Sequence, residues 1–276
     1  MSKRIDNLSP DPLTRRLFGK AIAGYDLIQD RDRIAVAVSG GKDSLTLLWL
    51  LRERLRRIPI RYDILAIYID LGFDPSAPKL LEDFFQYNGF SYRIVRTCYG
   101  VQAHSPDNRE NPCFWCARMR RATLFQEAVR HGCNKLALGH NQDDFIETFF
   151  INLFYGGQLA GMLPKQPFFD GKITVIRPLA LLSSERIRKL HRRLNLPIIS
   201  NPCPSSKSSK RAEIRQLLKP IFMSNPKLRD SIYHAISRVN LDYIPQPLKS
   251  NSGVKSAHTQ AVSGKDTNHA NRKKRR

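Results

Sequence analysis

The hexapeptide Ser39-Gly40-Gly41-Lys42-Asp43-Ser44 follows an apolar run and precedes a segment with helical spacing. At a strand-to-helix turn, two glycines let the backbone curl so that unpaired amide hydrogens converge on an anion, helped by the helix dipole. The Lys42 ammonium and two serine hydroxyls add donors, whereas Asp43 would repel phosphates unless a divalent cation, usually Mg²⁺, lies between them. The hexapeptide therefore predicts a phosphate-binding turn; the alternative is a loop in which Asp43 or Ser44 only caps the helix.

Cys113 and Cys116 form a Cys-x-x-Cys pair at the start of a helix predicted from Pro112 to about Arg130. Spacing of three places both sulfurs on one helix face, and the helix N-terminus together with Arg118 would favour thiolates. Such a pair fits a redox couple, half of a zinc site or half of an iron–sulfur site. The residues alone leave these three alternatives open.

Cys203 lies far along the chain between two prolines, and it is the third candidate ligand. The chain has five cysteines and its first residues do not read as a secretory signal, which favours metal or catalytic roles over disulfides. Two local cysteines and a distant one fit an iron–sulfur cluster in which one iron has no protein ligand. Cys98 and Cys133 are predicted to be inert.

Apolar, β-branched runs alternate with segments of helical spacing along most of the chain. This alternation predicts an α/β fold with a doubly wound parallel sheet of about five strands, carrying helical N-terminal and C-terminal additions. The predicted strands cover residues 34–38, 64–69, 92–95, 136–138 and 173–176.

Ligands of doubly wound sheets bind at the carboxyl ends of the strands, so residues that follow each apolar run are candidates for the site. Asp70 follows the second run, and the segment from Gly139 to Asp144 follows the fourth. Asp143 and Asp144 would lie opposite the phosphate turn, where they could share a metal ion with the nucleotide. Asp144 with Glu147 also resembles a helix cap, which is the structural alternative for the acidic pair.

The formal net charge of +22 is of the sign that attracts polyanions. Residues 248–276 have the composition of a disordered basic tail, and the remainder still carries about +15. The basic residues predict binding to nucleic acid, although runs of charge are also typical of solvated helix faces. They cluster at Arg52, Arg54, Arg56 and Arg57, at Arg118, Arg120 and Arg121, at Arg186, Arg188, Lys189, Arg192 and Arg193, and at Lys207, Lys210 and Arg211.

The length and apolar content predict one main domain with smaller appendages. We expect a helical segment at 1–30, a nucleotide-binding domain with the cysteine site at 31–220, a second helical segment at 221–247 and the tail from 248. Because no run of eighteen apolar residues is present, we expect no contact with membranes and a cytoplasmic protein.

Taken in order, these motifs resemble those of the tRNA 2-thiocytidine synthetases, a branch of the PP-loop ATP pyrophosphatases. The resemblance extends from Ile34 to about Lys219. It is carried by Ser39 to Ser44, Cys113-Phe-Trp-Cys116, Arg118-Met-Arg-Arg121, Gly139-His-Asn-Gln-Asp-Asp144, Asn152-Leu-Phe-Tyr-Gly-Gly157, Arg177-Pro-Leu179 and Pro197 to Cys203.

The resemblance implies an ATP-dependent tRNA sulfurtransferase that adenylates the C2 oxygen of a cytidine, at tRNA position 32, and replaces that oxygen with sulfur. It further implies a sulfur donor such as a cysteine desulfurase system, and it is compatible with a homodimer. The implied nucleotide site, for ATP and Mg²⁺, consists of Ser39 to Ser44 with Asp70, Gly139 and His140. The implied catalytic residues are Lys42, Asp43, Asp143 and Asp144, and the implied ligands of a [4Fe-4S] cluster are Cys113, Cys116 and Cys203.

Two positions depart from the family pattern. Pro204-Ser-Ser follows Cys203 in place of the second Cys-x-x-Cys of many relatives, and Asn141 stands where others have histidine. Alternative functions are therefore a 2-thiouridine synthase, a lysidine synthetase, which has no need of the three cysteines, and a non-catalytic basic RNA-binding module with structural zinc.

Overall fold

The computed structural model describes residues 8–199, 203–206 and 209–245. The contacts of the chain divide it into two units, Met1–Arg238 and Val239–Arg276. In the second unit the described residues include a short 3-10 turn at Leu241–Tyr243. The predicted disordered tail at 248–276 lies outside the described residues.

Helices and strands alternate along the first unit. In chain order they are α1 Pro12–Gly24, β1 Arg33–Val38, α2 Lys42–Leu55, β2 Asp63–Asp70, α3 Ala77–Asn88, β3 Ser91–Arg96, α4 Tyr99–Ala103, α5 Pro112–Arg130, β4 Lys135–Ala137, α6 Gln142–Gly156, β5 Lys165–Phe168, β6 Ile173–Ile176, α7 Ser184–Arg193, α8 Lys210–Ser224 and α9 Lys227–Ala235. A 3-10 turn at Pro204–Ser206 precedes α8.

The strands form one sheet in the order β3-β2-β1-β4-β6-β5. β1 pairs in parallel with β2 and β4, and β2 with β3 and β4 with β6 are also parallel. The chain moves outward from β1 in one direction and returns to its other side at β4, which creates a crevice at the carboxyl ends of these two strands. The predicted doubly wound fold is confirmed.

Both faces of the sheet are covered. Ile34, Val36 and Val38 of β1 pack into a core that contains Leu45 and Leu48 of α2. Ala35, between them, points into a second core with Leu124, Phe125 and Ala128 of α5. Strands buried on both faces, such as β1, β4 and β6, read as continuous apolar runs, which is why they could be predicted. The half-exposed β3 at the edge of the sheet was also predicted, although its residues alternate in exposure.

The sixth strand, β5, is antiparallel to β6 at the edge of the sheet and was not predicted. Its sequence, Lys165-Gln-Pro-Phe168, has no β-branched residue. Pro167 is compatible with an edge strand because one side of such a strand needs no hydrogen-bond donor.

The C-terminal helices α8 and α9 pack on α6. Their shared core contains Phe145, Ile146, Ile214, Leu218 and Tyr233. The start of α6 is thus buried, whereas Phe154 near the helix end is exposed. Among the described helices, none is long and apolar enough to cross a membrane.

Candidate active site

A cavity of about 770 Å³ opens at the carboxyl ends of the parallel strands. Four of its lining residues each follow or end a different strand: Ser39 follows β1, Asp70 ends β2, Gly139 follows β4 and Arg177 follows β6. The cavity therefore occupies the crevice that the strand order creates, which is where sheets of this type bind their ligands.

The predicted phosphate turn forms one wall of this cavity. Gly40 has φ +78°, and a Cβ built on it would lie 2.6 Å from Cβ of Ile199. The Ile199 amide donates to the Gly40 carbonyl at 3.1 Å. Gly139 is equally restricted, since a Cβ there would lie 3.0 Å from the backbone nitrogen of Ser44. These glycines are needed because the backbone of the turn is covered closely from two sides.

The hydroxyl of Ser44 forms its hydrogen bonds within the phosphate turn itself. Ser44 Oγ accepts from the Ser39 amide at 3.1 Å and donates to the Gly41 carbonyl at 3.0 Å. α2 begins at Lys42, and no described side chain caps its N-terminus. The first amides of α2 are therefore available to an anion, which favours the phosphate interpretation over the helix-cap alternative.

Asp43 is held from two sides. Its Oδ2 lies 2.6 Å from Lys42 Nζ, and its Oδ1 accepts from Asn141 Nδ2 at 3.1 Å. Asp43 lines the cavity together with Ser39 and Ser44, whereas the described lining does not include Lys42. The Lys42 ammonium is thus engaged by the neighbouring carboxylate.

Asp144 lines the cavity and forms a capping box with Asn141. The Asn141 amide donates to Asp144 Oδ2 at 2.9 Å, and Asn141 Oδ1 accepts from the amides of Asp143 and Asp144. The other oxygen of Asp144 pairs with Arg211 at 3.0 Å. The structural alternative for Asp144, a role in capping the helix, is thus seen, but with Asn141 rather than Glu147 as the partner.

Asp143 faces other helices. Its Oδ1 lies 2.9 Å from Arg229 Nε of α9, and its Oδ2 accepts from the Ser184 amide of α7 at 2.6 Å. Glu147, one turn further along α6, is buried and pairs with Arg215 of α8 at 2.7 Å. The acidic residues of α6 thus fix α7, α8 and α9 around the site.

His140 lines the cavity as a neutral imidazole. Burial, followed by the charge of Arg177 and other arginines, lowers the pKa of His140 to about 3. Arg177 Nε donates to His140 Nδ1 at 3.2 Å, so the proton of the neutral ring is on Nε2. Burial and the nearby Arg121 also lower the pKa of Arg177, to about 10. The site thus presents several hydrogen-bond donors on this side.

The end of β2 forms the opposite part of the cavity. Asp70 is buried, and its Oδ1 accepts from the Gly72 amide at 3.0 Å. Burial, with Asp70 and Asp74 nearby, raises the pKa of Tyr68 to about 12. Tyr68 is therefore a neutral phenol, and Phe73 adds an aromatic ring to this mixed apolar and acidic wall.

The Cys-x-x-Cys pair lies at the N-terminus of α5, whose first turn is capped by Asn111 at 3.2 Å from the Phe114 amide. Cys113 is exposed and Cys116 is half-buried. Burial raises the pKa of Cys116; Arg120 opposes this shift, and the thiols of Cys203 and Cys113 add to it. Cys116 is therefore within electrostatic range of both Cys113 and Cys203.

The thiols do not converge as they would around a single ion, since the described residues contain no group of three His, Cys, Asp or Glu side chains that could hold one. A [4Fe-4S] cluster makes a different demand, because each thiolate binds a different iron. Cys113 and Cys116 on α5, with Cys203 on a second segment, stay the predicted ligands of such a cluster. Ala117, directly after Cys116, and Arg120, one helical turn after it, line the cavity, so the helix that bears the Cys-x-x-Cys pair borders the same space as the phosphate turn; the described lining itself includes none of the three cysteines.

One prediction about thiolates is wrong. Arg118 forms a bidentate pair with Glu110, both bonds at 2.8 Å, and burial raises the pKa of Cys116, with Arg120 rather than Arg118 opposing the rise. Cys133 is buried, and burial raises its thiol pKa, as suits the predicted inert residue.

The sequence predicted no role at the nucleotide site for Arg177, Asn141 or Arg211, although Arg177 lies in a family motif and Arg211 in a basic cluster. Arg177 follows the predicted strand at 173–176, so its position at a strand end was a usable signal. Asn141 and Arg211 gave no comparable signal, because the contacts of Asn141 with Asp43 and of Arg211 with Asp144 depend on tertiary packing.

The sheet order and the phosphate turn at the switch point define an α/β nucleotide-binding protein. The sequence profile of the PP-loop domain matches residues 14–221. The chain is 40% identical over 225 residues to the tRNA-cytidine(32) 2-sulfurtransferase of Citrifermentans bemidjiense, a match that covers 80% of this chain and 88% of that protein. A protein of the same name from Geotalea daltonii is 41% identical over 238 residues, which cover 84% and 94% of the two chains. The chain belongs to the PP-loop family and, within it, to the tRNA-cytidine(32) 2-sulfurtransferases.

A solved structure, the U34-tRNA thiolase NcsA from Methanococcus maripaludis with its [4Fe-4S] cluster, superposes with a TM-score of 0.70 at 28% identity. The match covers 86% of this chain and 80% of that one. The fold is therefore shared with an iron–sulfur tRNA thiolase over nearly the whole described region.

Proposed function

We propose that this protein replaces the C2 oxygen of cytidine 32 in tRNA with sulfur, at the expense of ATP. One observation carries the proposal beyond family membership: a single cavity is lined by Ser39, Asp43 and Ser44 of the phosphate turn and by Ala117 and Arg120 of the helix that bears the Cys-x-x-Cys pair. Activation by ATP and transfer of sulfur need adjacent sites, because the activated base must meet the sulfur before water does.

The first step is attack of the cytidine C2 oxygen on the α-phosphorus of ATP, which releases pyrophosphate and leaves an adenylated base. The open amides at the start of α2 stabilise the charge that develops on the departing pyrophosphate. Hydrosulfide then attacks C2, so that a C–S bond forms, the bond from C2 to the adenylated oxygen breaks, and this oxygen leaves as part of AMP. Oxygen alone is a poor leaving group, and adenylation removes that barrier.

Two bound groups support these steps. Asp43 and Asp144 line the cavity and are the carboxylates we assign to Mg²⁺, which neutralises phosphate charge. Cys113, Cys116 and Cys203 would hold a [4Fe-4S] cluster, which supplies an iron without a protein ligand where sulfur can bind. The expected metal or nucleotide contact of Asp143 stays a prediction, and it requires Asp143 to leave Arg229.

We assign the chemistry to residues 31–220, with 1–30 and 221–247 as helical additions. We infer that the sulfur comes from a cysteine desulfurase system, that the protein works in the cytoplasm, and that a homodimer is compatible with the site.

The test is anaerobic reconstitution with iron and sulfide, followed by incubation with ATP, Mg²⁺ and unmodified tRNA. We expect 2-thiocytidine in digested tRNA by mass spectrometry, together with AMP and pyrophosphate. Appearance of 2-thiouridine or lysidine instead, or turnover without AMP, would contradict the proposal.

The ligand assignment has its own test. Cys113→Ala, Cys116→Ala and Cys203→Ala should each lose most cluster iron and the brown chromophore. Cys98→Ser is the matched control, because Cys98 is another exposed thiol of this chain. Iron content equal to that of the unmodified protein in the first three variants would reject the assignment.

A further inference from the structure

Helix α7 lies along the edge of the site, because contacts near both of its ends reach residues beside the cavity. At its start the Ser184 amide donates to Asp143 at 2.6 Å. Near its end, His191 Nε2 donates to the Pro197 carbonyl at 3.3 Å, two residues before the Ile199 that covers Gly40. Lys42 is close enough to His191 to contribute to lowering the pKa of this imidazole, which burial lowers most.

The inner and outer faces of α7 differ sharply. Ile187, Leu190 and His191 are buried on the inner face, which packs against α2. The outer face, which we call the α7 basic face, consists of Arg188, Lys189, Arg192 and Arg193, all exposed.

The acidic residue on this helix is Glu185. It pairs with Lys189 at 2.8 Å, and the Lys189 bond and charge, with a smaller contribution from Arg188, lower its pKa. No ion pair among the described residues involves Arg188, Arg192 or Arg193. Like charges four residues apart on a helix destabilise it, so this face carries an electrostatic cost in the free protein.

Several basic residues elsewhere on the described chain are matched by a nearby carboxylate. Arg57 pairs with Glu53, Arg118 with Glu110, Arg211 with Asp144, Arg215 with Glu147 and Arg229 with Asp143. Such pairs fix helices to one another. The α7 basic face forms no such pair with another helix, because α7 is already fixed by the packing of its buried face.

We propose that the α7 basic face binds the phosphate backbone of the tRNA next to the cavity. The identity of the partner rests on the proposed function, whereas the place of contact follows from the charge and position of α7. Guanidinium groups bind phosphate oxygens in a bidentate manner, and each phosphate neutralised releases counterions. Binding of the tRNA phosphate backbone along α7 would hold the anticodon arm in place while the target base enters the cavity.

The experiment measures tRNA binding at several salt concentrations, with a triple variant Arg188→Gln, Arg192→Gln and Arg193→Gln. Each phosphate contact contributes roughly 0.7 to 0.9 to the slope of log affinity against log salt. We expect the slope to fall by about 2 and the Kd to rise at least about tenfold at low salt. ATP binding should be unchanged, since these residues do not line the cavity.

A matched control removes the same charge elsewhere: Arg61→Gln, Arg130→Gln and Lys172→Gln. Each of these exposed residues shortly precedes a parallel strand. They therefore lie at the amino-terminal ends of the strands, whereas the cavity lies at the carboxyl ends. A variant with lysine at 188, 192 and 193 should keep most of the binding. Equal losses in the glutamine variant and in the control would overturn the proposal. If the wild-type protein binds tRNA through α7 yet forms no 2-thiocytidine, the proposed function fails and this inference stands.

Discussion

His104 Nε2 lies 2.8 Å from Ser205 Oγ, a contact between residues 101 positions apart. His104 Nδ1 lies 2.9 Å from the Gly100 carbonyl, which can only accept. Nδ1 therefore carries the proton of the neutral ring, and the Ser205 hydroxyl donates to Nε2. Because Ser205 comes two residues after Cys203, this bond fixes the segment of the distant cysteine to the region just before α5 and its Cys-x-x-Cys pair.

Removal of this bond should loosen the proposed cluster. A neutral hydrogen bond contributes about 1 kcal/mol, so His104→Ala or Ser205→Ala should speed iron release to a chelator about fivefold after reconstitution. Ser205→Thr keeps the hydroxyl and should restore slow release. His234→Ala, on α9, is the control for loss of an imidazole. Unchanged iron release in both alanine variants would show that Cys203 is positioned by other contacts.

Asn141 joins the phosphate turn to α6, since its Nδ2 donates to Asp43 while its Oδ1 caps the helix. Asn141→Asp keeps the cap, because aspartate is an equally good N-cap residue, but it places a second carboxylate beside Asp43. We expect ATP affinity without Mg²⁺ to fall at least about tenfold, with a smaller loss when Mg²⁺ is present, since the cation can lie between the carboxylates.

Isothermal titration of ATP, with and without Mg²⁺, measures both effects. Asn111→Asp is the matched control, because Asn111 caps α5 in the same way and has no described contact with Asp43. Equal ATP affinity in the Asn141→Asp and control proteins would contradict the role assigned to Asn141.

The fold could be predicted because the same residues encode local structure and burial. β1, β2, β4 and β6 read as apolar runs, since they are largely buried, whereas β3, at the edge of the sheet, is half-exposed and has a mixed sequence. β5 could not be predicted, because an edge strand with Pro167 is specified by its pairing with β6 rather than by its own pattern.

Site residues were predictable from the sequence where they lie directly after a strand. Ser39 to Ser44, Asp70 and Gly139 to Asp144 all lie at strand ends, and the structure brings Ser39, Asp43, Asp70, His140 and Asp144 to one cavity. Asp143 differs from Asp144 by one position on a helix, and that rotation directs it to Arg229. Pairing of Arg118 with Glu110 likewise depends on a loop conformation that spacing does not reveal.

His140 should make stability depend on pH. Its pKa is about 3 in the folded protein and near 6.5 when unfolded, so the unfolded chain binds more protons between these values. The contribution of His140 to stability is therefore present above about pH 6.5 and is lost as pH falls through this window. His140→Asn keeps an acceptor for Arg177 without the titration. Melting temperatures measured from about pH 7 to about pH 5 should fall less steeply in this variant; parallel curves would refute the assignment of a neutral ring.

The contact between Gly40 and Ile199 predicts that substitutions at these two residues, far apart in sequence, have strongly coupled effects on the free energy of unfolding. Gly40→Ala forces a side chain into a positive φ, which costs about 1 to 3 kcal/mol, and drives its Cβ into the Ile199 side chain. Ile199→Gly in the same protein should recover part of this loss, since it removes the clash but not the backbone strain.

Urea denaturation of the two single variants and the double variant measures the coupling. Gly24→Ala serves as the control, because a Cβ at Gly24 meets no atom within 4 Å. Additive losses at Gly40 and Ile199 would mean that the segment leading to Cys203 does not rest on the phosphate turn in solution.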